Sequence, residues 1–380
     1  MKAAPFGLYL HIPYCRQACT YCDFYFSTSL GSRKRWLAAL LREIDLASAD
    51  WTAGHHLSSI YFGGGTPSLL DPWELEAILE AIDRTWPRLP DAEITLEANP
   101  DDLTADKASA WLGLGINRLS LGVQSLDDAE LRAMNRAHHA AQALEAVAIL
   151  RQAGFVNFSV DLIYATPWLD TAAWQANLER ILALDAPHLS AYALTVEERT
   201  RLAHDVRTGR TPLVPDEVFA AQFEYLHTRL AAAGYDGYEV SNFARPGWRA
   251  VHNSAYWAGR PYLGLGPSAA SFTGTARWRN RPSVWACIDA LESGQLPRIE
   301  YEDLSAADQL NEYLMTRLRL SEGLVWAELQ AAFGIDFAAE RAHELRELAA
   351  QGWLVSDAHG ARLTLAGRQR ADGIAASLFV

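Results

Sequence analysis

From residue 8 to about residue 195, short apolar runs alternate with stretches of helical period. The pattern predicts strands at 8–12, 59–62, 93–97, 118–123, 157–163 and 188–194, separated by amphipathic helices at 34–47, 72–84, 140–153 and 171–184. The punctuation agrees. Asp71-Pro72 supplies an N-cap followed by proline at the first helical position, and Gly154 stands where a C-cap glycine belongs. Six strands alternating with helices imply βα units and a parallel sheet. A complete eight-fold barrel needs two more units, so the expected α/β fold is a partial (β/α)6 barrel, with its site at the C-terminal ends of the strands.

The pattern breaks at 208–215, where two prolines and a glycine interrupt it. Three regions follow: a core over 1–215, a mixed extension over 216–295 rich in Trp, Tyr, Gly and Arg, and a small α-rich C-terminal domain over 296–380. The last ends in a helix–turn–strand arrangement resembling a winged-helix unit. Its acidic helices argue against DNA reading and for a packing or cover role.

Composition narrows the class. Of 380 residues half are apolar, enough for a large core, and 46 acidic against 33 basic residues leave a net charge of −13. With no block of Lys and Arg to offset it, this balance argues against nucleic acid or an anionic membrane as the main partner. No apolar run approaches the roughly 18 residues of a membrane span, and the N-terminus has no signal-type apolar region. Membrane contact is therefore expected to be peripheral at most. Three of the four cysteines fall within eight positions, which is no disulfide framework, so a cytosolic chain with reduced thiols is expected.

Cys15, Cys19 and Cys22 follow the first predicted strand. Three soft thiolates in one short loop suit an iron–sulfur cluster with one iron left open, or a Cys3His zinc site completed by His11 or another histidine. Cys287 reads as a small buried apolar residue. The C-x3-C-x2-C spacing with Tyr21 before the last cysteine resembles the signature of the radical S-adenosylmethionine (SAM) superfamily. The resemblance implies a [4Fe-4S] cluster on Cys15, Cys19 and Cys22, whose open iron chelates the amino and carboxylate groups of SAM.

Other residues fit that reading in chain order. Gly64, Gly65 and Thr66, in Tyr-Phe-Gly-Gly-Gly-Thr-Pro-Ser, resemble the motif at the amino-acid end of SAM. Taken alone the glycines also suit a tight βα turn. Glu97, Gln124 and Asp161 end the third, fourth and fifth strands and Arg136 follows the fourth. Glu97 is placed to accept the ribose hydroxyls, and Tyr9 is expected beside the cluster. Each of these polar residues, taken singly, also suits a structural capping role.

The whole chain resembles the coproporphyrinogen dehydrogenase-like branch, and within it the HemW-type heme chaperones. His-Ile-Pro-Tyr-Cys, Glu-Ala-Asn-Pro, Gly-Ile-Asn-Arg-Leu-Ser-Leu-Gly-Val-Gln-Ser and Gly-Tyr-Glu-Val-Ser-Asn-Phe-Ala carry the likeness. The dehydrogenases typically have a further cysteine two places after the third, where this chain has Phe24, and a substantial segment before the cluster loop, where this chain has 14 residues before Cys15. His252-Asn253-Ser-Ala-Tyr256-Trp257 resembles the HNxxYW motif of heme-binding relatives. It makes His252, Asn253, Tyr256 and Trp257 heme candidates, although His-Asn as a turn with Tyr256 and Trp257 in the core fits the same residues.

The resemblance implies binding of heme and its transfer to an acceptor protein, such as a respiratory enzyme. The alternatives are an oxygen-independent coproporphyrinogen III dehydrogenase, which is not expected here, and a radical SAM heme-modifying methyltransferase. A homodimer is compatible with the resemblance. The chain departs from its relatives at Ala165-Thr-Pro-Trp, where they usually have Gly-Leu-Pro-Gly, and at Gly264–Ser271, which lacks a histidine often found there.

Overall fold

The computed structural model describes residues 5–49 and 55–380. Six parallel strands form its centre: β1 (Phe6–Ile12), β2 (Leu57–Gly64), β3 (Arg88–Ala98), β4 (Arg118–Gln124), β5 (Phe158–Tyr164) and β6 (His188–Ala193). They pair in sequence order. Around them run α1 (Arg33–Ala47), α2 (Pro72–Thr85), α3 (Ala105–Gly113), α4 (Asp128–Ala133), α5 (Ala140–Ala153) and α6 (Thr171–Leu182). The predicted caps are present: the Glu74 carboxylate accepts the Asp71 N–H at 2.8 Å, and Gly154 closes α5 at φ +102°.

The strands alternate in a way that governs the interior. In β1, Leu8, Leu10 and Ile12 are fully buried in the apolar core, while Tyr9 and His11 meet across the inner face. In β4 the sequence Arg118-Leu-Ser120-Leu-Gly122-Val-Gln124 sends every second residue, all polar or glycine, inward. The barrel is therefore apolar between sheet and helices and polar inside.

The extension is not a separate body. After α7 (Arg201–Arg207), α8 (Asp216–Ala232) packs on α6, and β8 (Asn242–Ala244) pairs antiparallel with β6, carrying β7 (Asp236–Gly237) at the edge. Then α9 (Val251–Trp257) leads to β9 (Tyr262–Leu265), which pairs parallel with the other flank of β1. From β9 the sheet continues antiparallel through β10 (Ala270–Phe272), β11 (Ala276–Asn280) and, after α10 (Val284–Glu292), β12 (Arg298–Asp303). Among the described residues this makes one sheet of twelve strands, and Phe223, Leu226, Leu263 and Ile288 share one core with the barrel. The proline-rich break near 215 marks a turn rather than a gap in packing.

Residues from α11 (Ala306–Arg317) onward build a second core from Leu310, Leu314, Leu329, Leu345, Leu363 and Ile374. It combines α12 (Trp326–Phe333), α13 (Phe337–Glu340), α14 (Ala342–Ala350), α15 (Leu365–Arg368) and α16 (Ala371–Ser377) with a three-stranded antiparallel sheet of β13 (Leu324–Val325), β15 (Gly360–Leu363) and β14 (Leu354–Ser356). This unit docks beneath the barrel. Ser321 N–H donates to Tyr238 O at 2.9 Å, Arg368 Nη1 to Gly237 O at 2.9 Å, and the Arg319 guanidinium lies 5.1 Å from the Trp257 ring centre.

Candidate functional site

A cavity of about 510 Å³ opens at the C-terminal ends of the strands. Cys15, Cys19 and Cys22 line it from the loop after β1, facing Gly64, Gly65, Thr66, Glu97, Gln124, Arg136 and Asp161. The loop is held open by its surroundings: Cys15 N–H donates to Ser27 O at 3.1 Å and Thr20 N–H to Met134 O at 3.1 Å. Thr66 Oγ1 donates to Cys15 Sγ at 3.4 Å and Arg136 Nη1 to Cys19 Sγ at 3.3 Å. Arg136 is aimed by Asn99 Oδ1 at 2.6 Å and Gly122 O at 3.0 Å.

Three thiols on one cavity, with hydroxyl and guanidinium donors to two of the sulfurs, fit a thiolate-bound cluster. Burial raises the Cys15 thiol and pushes Cys22 up to about 12, so iron must displace these protons on loading. The Cys3His zinc reading loses its named ligand. His11 spends Nδ1 on the Tyr9 hydroxyl at 3.1 Å and Nε2 on Tyr25 O at 2.8 Å. No three His, Cys, Asp or Glu side chains among the described residues are grouped to hold a single ion.

The glycines at 64 and 65 are required by the protein itself. Gly64 adopts φ +107°, and a Cβ there would lie 2.6 Å from the His11 ring; one on Gly65 would lie 2.7 Å from Ile12 O. Glu97 accepts the Tyr61 hydroxyl at 2.7 Å and the Gly64 N–H at 3.1 Å, and burial raises it to about 7. Asp161 accepts Ser120 Oγ at 2.8 Å and Ser159 Oγ at 2.9 Å, and burial raises its pKa as well. Glu97 presents acceptors to a ligand's hydroxyl pair, and the serine-held Asp161 a second carboxylate across the same space. Tyr9, expected beside the cluster, is not on the cavity wall: it stacks with Tyr61 at 6.1 Å and turns its hydroxyl to His11.

The N-terminal ends of the strands form a sealed floor. The Glu93 carboxylate accepts the backbone N–H of Val251 at 2.9 Å and of His252 at 3.0 Å, anchoring the start of α9, with Arg118 Nε 3.9 Å away. His252 is 2% exposed. Its Nδ1 pairs with Ser59 Oγ at 2.8 Å, its Nε2 with the Tyr256 hydroxyl at 2.9 Å, and its ring stacks on Tyr61 at 5.0 Å. Burial, with Arg118 nearby, lowers it to about 3 and keeps it neutral. On the far side His188 repeats the pattern, with Nδ1 to Ser159 Oγ at 2.9 Å and Nε2 to the Tyr238 hydroxyl at 2.8 Å.

The HNxxYW segment is thus a helix, not a turn, and its four candidates separate. Asn253 lines the cavity; His252 and Tyr256 are paired with each other; Trp257 faces Arg319 of the C-terminal unit. Both ring nitrogens of His252 are engaged in protein hydrogen bonds, so axial ligation of heme iron by His252 requires α9 to leave the floor. Tyr61, Asn99 and Ser120 are cavity residues that motif reading passed over. The alternation of polar residues along β2 and β4 was the signal for Tyr61 and Ser120, whereas Asn99 lies just past the end of β3.

A polar partial barrel with three thiols at its mouth defines a class, and comparison with known proteins agrees. Residues 9–171 match the radical SAM superfamily and residues 304–370 the HemN C-terminal domain. Over 100% of its length the chain is 38% identical to heme chaperone HemW of Mycobacterium tuberculosis, covering 96% of that protein. It is 33% identical to heme chaperone HemW of Escherichia coli, with 97% of this chain and 96% of that protein covered. It is also 33% identical to the bovine mitochondrial radical S-adenosyl methionine domain-containing protein 1, with 98% and 87% covered. The chain belongs to the HemW family of radical SAM proteins. In fold it matches the Escherichia coli coproporphyrinogen III oxidase HemN at a TM-score of 0.86 and 23% identity, over 99% of this chain and 90% of that one. The family carries a [4Fe-4S] cluster and SAM, for which the three thiols and the carboxylates at the mouth are candidate donors.

Proposed function

We propose that this protein is a heme chaperone, which binds heme and passes it to an acceptor protein while its barrel holds a [4Fe-4S] cluster and SAM. The full-length likeness to the HemW proteins carries this reading. When bound, the cluster supplies an electron to the sulfonium of SAM. The chain's own residues do the rest: the three thiols anchor the cluster, Glu97 takes the ribose hydroxyls, Gln124, Asp161 and Arg136 border the remaining space, and Gly64 to Thr66 close over the amino-acid end.

Against porphyrinogen oxidation stands Phe24, a side chain 66% exposed at the cavity rim, in the place where the dehydrogenases carry a further thiol. We place the protein in the cytoplasm, as a homodimer with at most peripheral membrane contact and a respiratory heme protein as acceptor. Among the described residues no helix is long and apolar enough to cross a membrane. The test is anaerobic reconstitution with SAM and either heme or coproporphyrinogen. Retention of heme and its delivery to an apo-acceptor are expected. Formation of protoporphyrinogen would overturn the chaperone reading.

A further inference from the structure

The most connected residue of the HNxxYW segment is the one least open to a ligand. His252 touches the cavity only through Tyr61, whose ring stacks with both His252 (5.0 Å, 24° between planes) and Tyr9 (6.1 Å, 24°). Tyr61 in turn delivers its hydroxyl to Glu97 Oε1, and the other oxygen of that carboxylate is held by Gly64 N–H. The His252 ring cannot swing away from this stack without losing Ser59 and Tyr256, and its backbone is fixed by the two N–H groups that Glu93 accepts. Tyr256 is itself braced edge-on against Tyr262 of β9 at 4.6 Å.

We propose that His252 is a positioning residue for cofactor binding: by stacking on Tyr61 it sets the Glu97 carboxylate that receives SAM, and it does so as a neutral ring rather than as an iron ligand. The assignment rests on the cavity being the SAM site, and not on the heme reading. It gives the motif two levels. Asn253 reaches the cavity directly, while His252 and Tyr256 fix the shelf beneath it. A cavity that is occupied and a floor that is closed then stabilise each other, because both need Tyr61 in one place.

The role depends on a flat ring and not on a nitrogen, which separates it from ligation. In anaerobically reconstituted full-length protein, SAM affinity is measured by calorimetry and heme uptake by absorbance. His252→Ala, which removes the stack, is expected to weaken SAM binding about tenfold, in keeping with the strength of a buried ring pair. His252→Phe, which keeps a ring but no nitrogen, should restore SAM affinity to within about threefold of the parent and leave the heme spectrum in place. Tyr61→Phe changes no volume in the stack and loses only the hydroxyl to Glu97; it should weaken SAM without touching heme.

SAM affinity unchanged in both His252→Ala and Tyr61→Phe would overturn the assignment. So would a His252→Phe variant that binds SAM like His252→Ala and has lost the heme band. If His252→Ala does not fold, the Tyr61→Phe and His252→Phe pair decides alone. Parent protein that takes up no heme, with the variants still ordered as stated for SAM, would sink the chaperone reading and leave the positioning role standing.

Discussion

The two ends of the same six strands carry similar residues to opposite effect. At the mouth, Glu97, Asp161, Gln124 and the three thiols face open space. At the floor, Glu93, Arg118, Ser59, Ser159, His188 and His252 are turned on one another and capped by α9 and Tyr238. Two carboxylates only four residues apart on β3 show the contrast: Glu97 borders the cavity, whereas Glu93 holds a helix. Each carboxylate accepts one protein hydrogen bond on each oxygen, so what separates the binding residue from the structural one is where it lies: Glu97 borders the cavity, and Glu93 is enclosed by the start of α9 and by Arg118.

The sharpest break would come at the mouth. Cys19→Ser is expected to abolish the cluster, giving reconstituted protein without brown colour and with iron content near zero; iron retained at the parent level would remove the cysteine assignment. Next comes the floor. Glu93→Ala frees two backbone donors and strands the Arg118 cation, 1% exposed, so a loss of about 3–5 kcal/mol is expected in urea unfolding. Gln124→Ala at the mouth should stay within about 0.5 kcal/mol of the parent and weaken SAM binding instead. Equal stability losses for Glu93→Ala and Gln124→Ala would erase the distinction between the two ends.

A third buried carboxylate lies outside both. Glu43 of α1 accepts Gly266 N–H at 2.9 Å and Asn280 Nδ2 at 2.6 Å, fastening the helix to the strands beyond β9, and burial raises it from 4.5 to about 7. A carboxyl raised in the fold adds stability below its ordinary value and loses that contribution as pH climbs through about 7. The melting temperature of the parent should therefore fall between pH 5 and 8, and Glu43→Gln should flatten that slope; identical slopes would count against the assignment.

A modest gain instead of a loss is expected at Ala165, which sits at φ +54° just past β5, with its N–H on Gln222 Oε1 at 2.8 Å. The chain has kept the left-handed backbone of a glycine position while carrying a Cβ there. Ala165→Gly should stabilise the protein by about 1 kcal/mol in the same urea assay.

The six barrel strands and the helices between them were legible because each apolar run is bounded by a clear change of period; the 140–153 helix falls where its capping glycine puts it. The cysteine loop was legible from spacing alone. The extension was not. Its strands run two to five residues up to β11, too short for alternation to register, and the two that join it to the barrel, β9 and β8, pair with β1 and β6, far away in sequence. The helix at 251–257 lacked a local start signal because its N-terminal N–H groups are satisfied by Glu93, more than 150 residues earlier. Tyr9 lies one ring behind the cavity wall, stacked on Tyr61 and bonded to His11, a position that its place two residues before His11 on an inward face does not by itself distinguish from the wall.

A sheet that never closes on itself must end somewhere, and each end is a template on which another chain could polymerise. One margin is a strand of only two residues, β7. The other, β12, reads Arg-Ile-Glu-Tyr-Glu-Asp, with Glu300 in a left-handed conformation and the pairing register to β11 shifted along it. Its broken register, with Glu302 and Glu300 tied to Arg277 and Arg279 of β11, makes that margin a poor surface for a second copy to add on, and the open barrel keeps its accessible mouth without offering a seed for fibres.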